Sequence, residues 1–242
     1  GVCAEGSRQA VKVLFLPLSR LLFDIVAKFA KNLDLPHDQP FDYQLAMDRL
    51  RDYRAPRDRL GLLCENGEVI RVRKGLYVPG SRRGEEPPVD PLVLSGLIYG
   101  PSYVSLESAL VHHGLIPERV EEITCITSKR AKLFETPVGR FRYEPVNERV
   151  FGIGIRLEPT RGGSYFLAEP EKALCDRLAM ISGLSAARDM LTTLDDDLRV
   201  DVDKVVSTFR LPLMEEIADA YRKKSVSAFH RWLAKQQKKT SS

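Results

Sequence analysis

The stretch from residue 55 to 78 constrains the fold more than any other: Ala-Pro-Arg-Asp-Arg-Leu-Gly-Leu-Leu-Cys-Glu-Asn-Gly-Glu-Val-Ile-Arg-Val-Arg-Lys-Gly-Leu-Tyr-Val. Pro56 suits the first turn of a helix, because its missing N–H would be unpaired there in any case. Gly67 stands where a helix wants a C′ glycine. The residues that follow alternate, with Ile70 and Val72 inward and Arg71 and Arg73 outward, as in a strand. Lys74-Gly75 can reverse the chain, and Leu76-Tyr77-Val78 returns before Pro79-Gly80 ends the element. Upstream, a helix is expected over about 42–53, burying Leu45, Ala46 and Leu50, and an earlier one over about 19–32. The earlier helix has Ser19 as its cap and Leu21, Leu22, Ile25, Val26 and Phe29 on one face. Three helices followed by a hairpin in this order predict a winged helix-turn-helix over residues 1–80.

Residues 81–90 read as an extended, solvated linker, rich in proline and charge. Beyond it, helices are expected around 91–99 and from Ser105, as N-cap, to Gly114, as stop. Strands are expected at 123–127, 141–143, 152–157 and 165–167, with 134–139 as a hairpin connection. A helix opens at Pro170, an acid-rich break covers 191–198, and helices over 206–221 and 226–236 close the chain. The expected fold class is α+β: an N-terminal winged helix-turn-helix, then a larger α+β domain over 91–242 with a mixed or antiparallel sheet and C-terminal helices. No run approaches the roughly 18 apolar residues of a membrane helix, and 11–18 reads as a strand or irregular segment. Cys3, Cys64, Cys125 and Cys175 are too scattered for a disulfide or zinc framework and fit a reducing cytoplasm.

Charge is unevenly distributed. Residues 1–84 carry 15 Lys+Arg against 10 Asp+Glu, residues 85–219 carry 15 against 23, and residues 220–242 carry 7 against none. Basic ends around an acidic middle assign anion binding to particular regions. Arg57, Asp58 and Arg59 open the expected third helix, where a recognition helix presents side chains to base edges. Arg71, Arg73 and Lys74 lie on the expected wing, where they would meet phosphates. Arg54 can serve either role. The duplex reading has internal counterweights: Gly61 and Leu62 take the place of a polar base reader, Glu65 and Asn66 fail to extend the basic surface, and Asp58 repels phosphate unless it reads a cytosine amine or caps the helix.

Catalytic and metal chemistry find little support in the residues. Adjacent His112 and His113 point about 100° apart on a helix and do not chelate as an i, i+4 pair would. Asp195-Asp196-Asp197, with Asp201 and Asp203, lacks the glycine and terminal Glu of a calcium loop. Glu169, Glu171 and Lys172 form the sole local arrangement that a metal-dependent nuclease could use, and their place at a helix start accounts for the acids without catalysis. No phosphate loop, dinucleotide fingerprint or nucleophile elbow is present. The expectation is a protein that is not an enzyme and uses no cofactor and no metal.

Three segments in order carry a resemblance. They are Gly67 to Tyr77 (Gly-Glu-Val-Ile-Arg-Val-Arg-Lys-Gly-Leu-Tyr), Tyr103 to Pro117 (Tyr-Val-Ser-Leu-Glu-Ser-Ala-Leu-Val-His-His-Gly-Leu-Ile-Pro) and Ala168 to Asp176 (Ala-Glu-Pro-Glu-Lys-Ala-Leu-Cys-Asp). Together the chain resembles the AbiEi antitoxins across roughly residues 20–180. The resemblance implies a cytoplasmic antitoxin that represses its own operon through operator DNA, on which inverted repeats would favour two copies. It also implies a nucleotidyltransferase-type toxin as functional partner, neutralised with the help of the second domain, and no membrane. In that pattern Arg57, Asp58 and Arg59 fall on the recognition helix and Arg71, Arg73 and Lys74 on the wing. Residues 182–242 match none of it. The alternative is a winged-helix regulator with no associated toxin.

Overall fold

Short elements separated by turns make up the chain, and their order in space is set by pairing across those turns. The computed structural model describes residues 35–81, 84–117, 121–184 and 186–240. The helix expected over 19–32, the segment 11–18 and Cys3 lie outside the described residues. Residues 36–242 form one compact unit. Among the described residues no helix is long and apolar enough to cross a membrane.

The first part is a three-stranded antiparallel sheet with two helices. Strand β1 (Phe41–Asp42) leads directly into helix α1 (Tyr43–Arg49), whose N-terminus is capped by the Asp42 carboxylate accepting from the Leu45 amide at 2.7 Å. This helix ends at Arg49 with Leu50 as its C-cap, short of the expected 53, and a turn follows before helix α2 (Pro56–Glu65). Asn66 closes α2, and Gly67 adopts φ +72°, the left-handed backbone expected of a C′ glycine. Strands β2 (Val69–Arg73) and β3 (Leu76–Pro79) then pair in a hairpin with a bulge between Arg71 and Arg73. The sheet order is β1-β3-β2, so the first strand lies beside the last, with Phe41 stacked on Tyr77 at 5.8 Å.

Both faces of this hairpin are covered. Val69 and Tyr77 are buried, and Tyr77 lies near Tyr43 and Cys64 of the two helices. On the other face Val72 and Val78 are buried in one cluster with Val93, Leu94 and Ile98, and Ile70 and Leu76 pack against it. Ile70 and Val72 are therefore inward as expected, yet they face the larger part of the molecule instead of the helices. The expected linker is anchored at its far end: Val89 is buried, and the Asp90 amide donates to the Arg161 carbonyl at 3.0 Å. The Asp90 carboxylate also accepts from Thr160 Oγ1 at 2.9 Å. One apolar core thus continues across residues 81–90.

The larger part is built on a six-stranded mixed sheet. Its strands are β4 (Ser102–Val104), β5 (Glu122–Thr127), β6 (Lys132–Thr136), β7 (Gly139–Pro145), β8 (Ile155–Thr160) and β9 (Gly163–Ala168). Their order is β6-β7-β5-β4-β9-β8, with β5·β7 and β4·β9 parallel and the other neighbours antiparallel. A 3-10 turn (Pro91–Val93) and helix α3 (Leu94–Ile98) precede β4, and helix α4 (Leu106–His112) follows it. After the sheet's short helix α5 (Glu148–Phe151) come α6 (Pro170–Ala179), α7 (Val202–Thr208), α8 (Leu211–Tyr221) and α9 (Lys224–Thr240). Helix α6 packs on α4 and α8 and buries eight of its ten residues. The fold is α+β with mixed and antiparallel sheets.

Several expected boundaries moved for local reasons. The connection expected at 134–139 is the strand β6 and a tight turn, in which Thr136 Oγ1 donates to the Gly139 carbonyl at 2.7 Å. The strand expected from 152 begins at Ile155 because Asn147 caps α5 just before it, accepting from the Arg149 amide. The helix expected over 206–221 breaks between Thr208 and Leu211. Pro212 enters the first turn of α8, and the Arg210 amide is drawn to the Glu171 carboxylate at 2.9 Å. The acid-rich break expected over 191–198 winds, from Met190 to Asp197, as short helical turns that bury Met190 and Leu194.

Candidate nucleic-acid interface

Helix α2 exposes one face and buries the other. Leu60 and Leu63 are in the core, whereas Arg57, Asp58, Gly61, Leu62 and Glu65 are exposed. At 100° per residue these five share one continuous face, so the residues expected to weaken base reading stand in the middle of it. Leu62, 46% exposed, presents an apolar side chain there. Arg59 does not join this face. Its guanidinium lies over the Tyr53 ring at 5.3 Å, and its Nε is buried with no hydrogen-bond partner among the described residues. Arg54 is exposed in the turn before α2.

The three cations expected on a wing occupy different positions in the β2–β3 hairpin. Arg71 is exposed opposite Tyr77 in the ladder. Burial raises the Cys64 thiol and the Tyr77 hydroxyl above their ordinary values, and the nearby positive charge of Arg71 opposes both shifts. Lys74 is exposed at the reversal, next to Gly75 with φ +82°. Arg73 donates from Nη1 to the Ile98 carbonyl at the end of α3, so its guanidinium fastens the hairpin tip to the larger part. A cation at a helix C-terminus also meets the negative end of the backbone dipole. Arg59 is half-buried against Tyr53 and Arg73 is exposed but tied to the Ile98 carbonyl, whereas Arg54, Arg57, Arg71 and Lys74 are exposed.

A second group of charged residues is buried, and sequence reasoning missed it. Asp176 accepts from four donors: Lys172 Nζ and the Tyr221 hydroxyl on Oδ1, the Ser105 hydroxyl at 2.6 Å and the Tyr103 hydroxyl at 3.1 Å on Oδ2. Lys172 and Asp176 are both fully buried, one turn apart on α6, and the Lys172 ammonium lies over the Tyr103 and Tyr221 rings. Burial, reinforced by the Asp176 charge, pushes both tyrosine hydroxyls well above their usual range. Ser105 has the extended backbone of an N-cap, but its hydroxyl goes to Asp176 instead of capping α4. The available signal was the i, i+4 spacing of Lys172 and Asp176 within a helix otherwise apolar in pattern.

The carboxylates weighed for a nuclease are committed to another partner. Glu171 receives the Arg210 amide and Nε, each at 2.9 Å, and Glu169 receives Arg210 Nη2 at 2.8 Å. Burial would raise the Glu171 carboxyl, but the Arg210 hydrogen bonds outweigh it and hold the group below its ordinary value. His113 Nε2 lies 2.7 Å from the Ala168 carbonyl, and burial lowers its affinity for a proton. His112 meets the Tyr165 hydroxyl and Glu158 instead. Asp201 caps α7 by accepting from the Lys204 amide at 2.9 Å. Among the described residues no group of His, Cys, Asp or Glu is arranged to hold a metal ion. The sequence matches no protein-family model and no curated protein.

Proposed function

We propose that this chain is a DNA-binding antitoxin that represses its own operon, with the part around α1, α2 and the β2–β3 hairpin acting as a winged helix-turn-helix. The observation that carries the DNA half is the sheet order β1-β3-β2. With α2 packed on β2 and Arg57, Arg71 and Lys74 exposed, this arrangement supports reading the hairpin as a wing. Arg57 would read a base edge, and Arg71 and Lys74 would meet phosphates. Asp58 and Glu65 on the same face favour readout at a few positions over a broad electrostatic grip. The antitoxin half rests on the three segments that resemble the AbiEi antitoxins, two of which contribute the buried cluster of Tyr103, Ser105, Lys172 and Asp176. Those residues serve folding, so neutralisation of a nucleotidyltransferase-type toxin would use the surface they support.

The test is co-expression of the full chain with the product of the gene adjacent to its own. Because Val72 and Val78 share a core with the larger part, cutting between residues 84 and 85 would expose apolar surface, and point variants are the cleaner tool. Arg57→Ala with Arg71→Ala should abolish repression of the operon and leave rescue of growth intact. A neighbour that is not toxic, or a toxic one that the full chain fails to rescue, would leave a plain winged-helix regulator.

A further inference from the structure

The larger sheet presents an uncharged hollow beside helix α3. That helix packs on β4 and β9 and buries Leu94, Ser95 and Ile98. Its remaining positions leave space: Gly96 has no side chain, and a Cβ there would meet nothing within 4 Å. Leu97 beside it is 52% exposed. Leu157 of β8 and Phe166 of β9 are partners in the ladder and are 58% and 52% exposed. Strand alternation sends the charged neighbours of Leu157 to the opposite face, where Glu158 lies 4.0 Å from His112 and 2.8 Å from Arg156.

The hollow has a volume of about 490 Å³, and its walls include Gly96, Leu97, Phe151, Leu157 and Phe166. Ser102 and Ser164 bring hydroxyls to it, and none of its lining side chains is charged. The Ser102 hydroxyl already donates to the Ser95 carbonyl at 3.4 Å, which leaves Ser164 as the freer of the two. Small-molecule sites have volumes and linings of this kind, with a few polar groups that orient the ligand. An ion would lose hydration here with no counter-charge to replace it. The exposed side chains of Leu97, Leu157 and Phe166 fall short of the roughly 800 Å² that each partner buries in a standard protein interface.

We infer that this hollow binds a small, neutral, mainly apolar molecule, the fitting class being an aromatic ring that bears one hydrogen-bonding group. Leu97, Leu157 and the Phe151 and Phe166 rings would cover the ring, and the Ser164 hydroxyl would orient its polar group. The site is independent of the DNA-binding reading. Its ligand would nonetheless lie against the helix that carries the hairpin, since the Ile98 carbonyl receives Arg73 and Leu94 and Ile98 share a core with Val72 and Val78.

The experiment titrates the full chain into N-phenylnaphthylamine, a neutral probe whose fluorescence rises in apolar surroundings. The wild type should give a saturable rise with a single probe bound per chain. Leu157→Ala, at an exposed side chain, should lower probe affinity by about tenfold. Gly96→Leu fills the hollow and should abolish the rise. Its helical backbone favours leucine over glycine, so the melting temperature should hold or increase, which guards against misfolding. Neutral naphthol should displace the probe from the wild type, and anionic naphthoate should not. No saturable rise with the wild type, or equal binding by the wild type and both variants, would overturn the inference. Equal displacement by naphthol and naphthoate would overturn the assignment to neutral ligands. Light scattering that finds a wild-type dimer, made monomeric by Leu157→Gln, would assign this face to a second copy of the chain instead.

Discussion

Asp176 and Lys172 on one side, and Lys129, Arg130 and Lys132 on the other, show two opposite uses of charge in one molecule. The first pair is fully buried and every oxygen of Asp176 is occupied, so it has nothing left to offer a ligand. The three cations beside the β6 edge of the larger sheet are exposed, with Lys129 and Lys132 over the Tyr99 ring and Lys129 also donating to the Gly100 carbonyl. A buried ion pair contributes little net stability relative to apolar residues but costs a great deal to break, because one partner is left charged in an apolar setting. An exposed cation contributes almost nothing to folding and keeps its full electrostatic reach for a partner. The contrast teaches that resemblance to a family and availability for binding are separate matters. Of the quoted segments, the second and third contribute mainly to the buried network, whereas the basic β6–β7 edge lies outside all three.

The largest expected effect breaks the buried side of this comparison. Asp176→Ala removes the acceptor of four hydrogen bonds and strands Lys172, which should lower unfolding free energy by about 3–5 kcal/mol in urea titration. Replacing both partners together, as Lys172→Met with Asp176→Leu, should restore much of that loss. A single variant as stable as the wild type would remove the network from the account of the fold.

Arg210 gives an intermediate case, since it is half-exposed and yet serves a buried carboxylate. Arg210→Ala should cost about 1–3 kcal/mol, because Glu171 loses charge-assisted hydrogen bonds and stays buried. The sign with pH follows from the lowered Glu171 carboxyl. In the wild type its ionised form stabilises the fold at neutral pH, and that contribution fades as pH falls through its folded pKa. Thermal melts from neutral to acid pH should show this decline in the wild type and less of it in Arg210→Ala. Equal decline in both would place the acid sensitivity elsewhere.

The smallest effect on stability is expected at the exposed face of α2. Arg57→Ala should change unfolding free energy by no more than about 0.5 kcal/mol, while altering base preference at particular operator positions in a binding selection. A variant that weakens all duplexes equally would make Arg57 a phosphate contact and not a base reader.

Much of the smaller sheet and its helices was legible in the chain, because the signals there are local. Pro56 restricts its own φ, Gly67 and Gly75 tolerate positive φ, and alternation over 69–73 is a property of neighbouring residues. The same locality explains the misses. Strand β6 has few apolar residues and shows its period weakly, and the break at Phe209-Arg210 depends on a carboxylate 39 residues away. Arg71 and Lys74 could be placed outward from the pattern, but nothing near Arg73 in sequence announces the Ile98 carbonyl that holds it.

The sequence by itself determined the start of α2 at Pro56, the turns at Gly67 and Gly75, the alternation of the hairpin and the uneven placement of charge, since each depends on backbone restrictions or composition within a few residues. Only the tertiary structure decided which face of the hairpin meets which core, which arginines stay available and that Ser105, Tyr103, Lys172 and Tyr221 converge on Asp176. Those outcomes depend on partners up to 73 residues apart. Burial removes water from their polar groups and leaves them to satisfy one another, a requirement imposed by the assembled core.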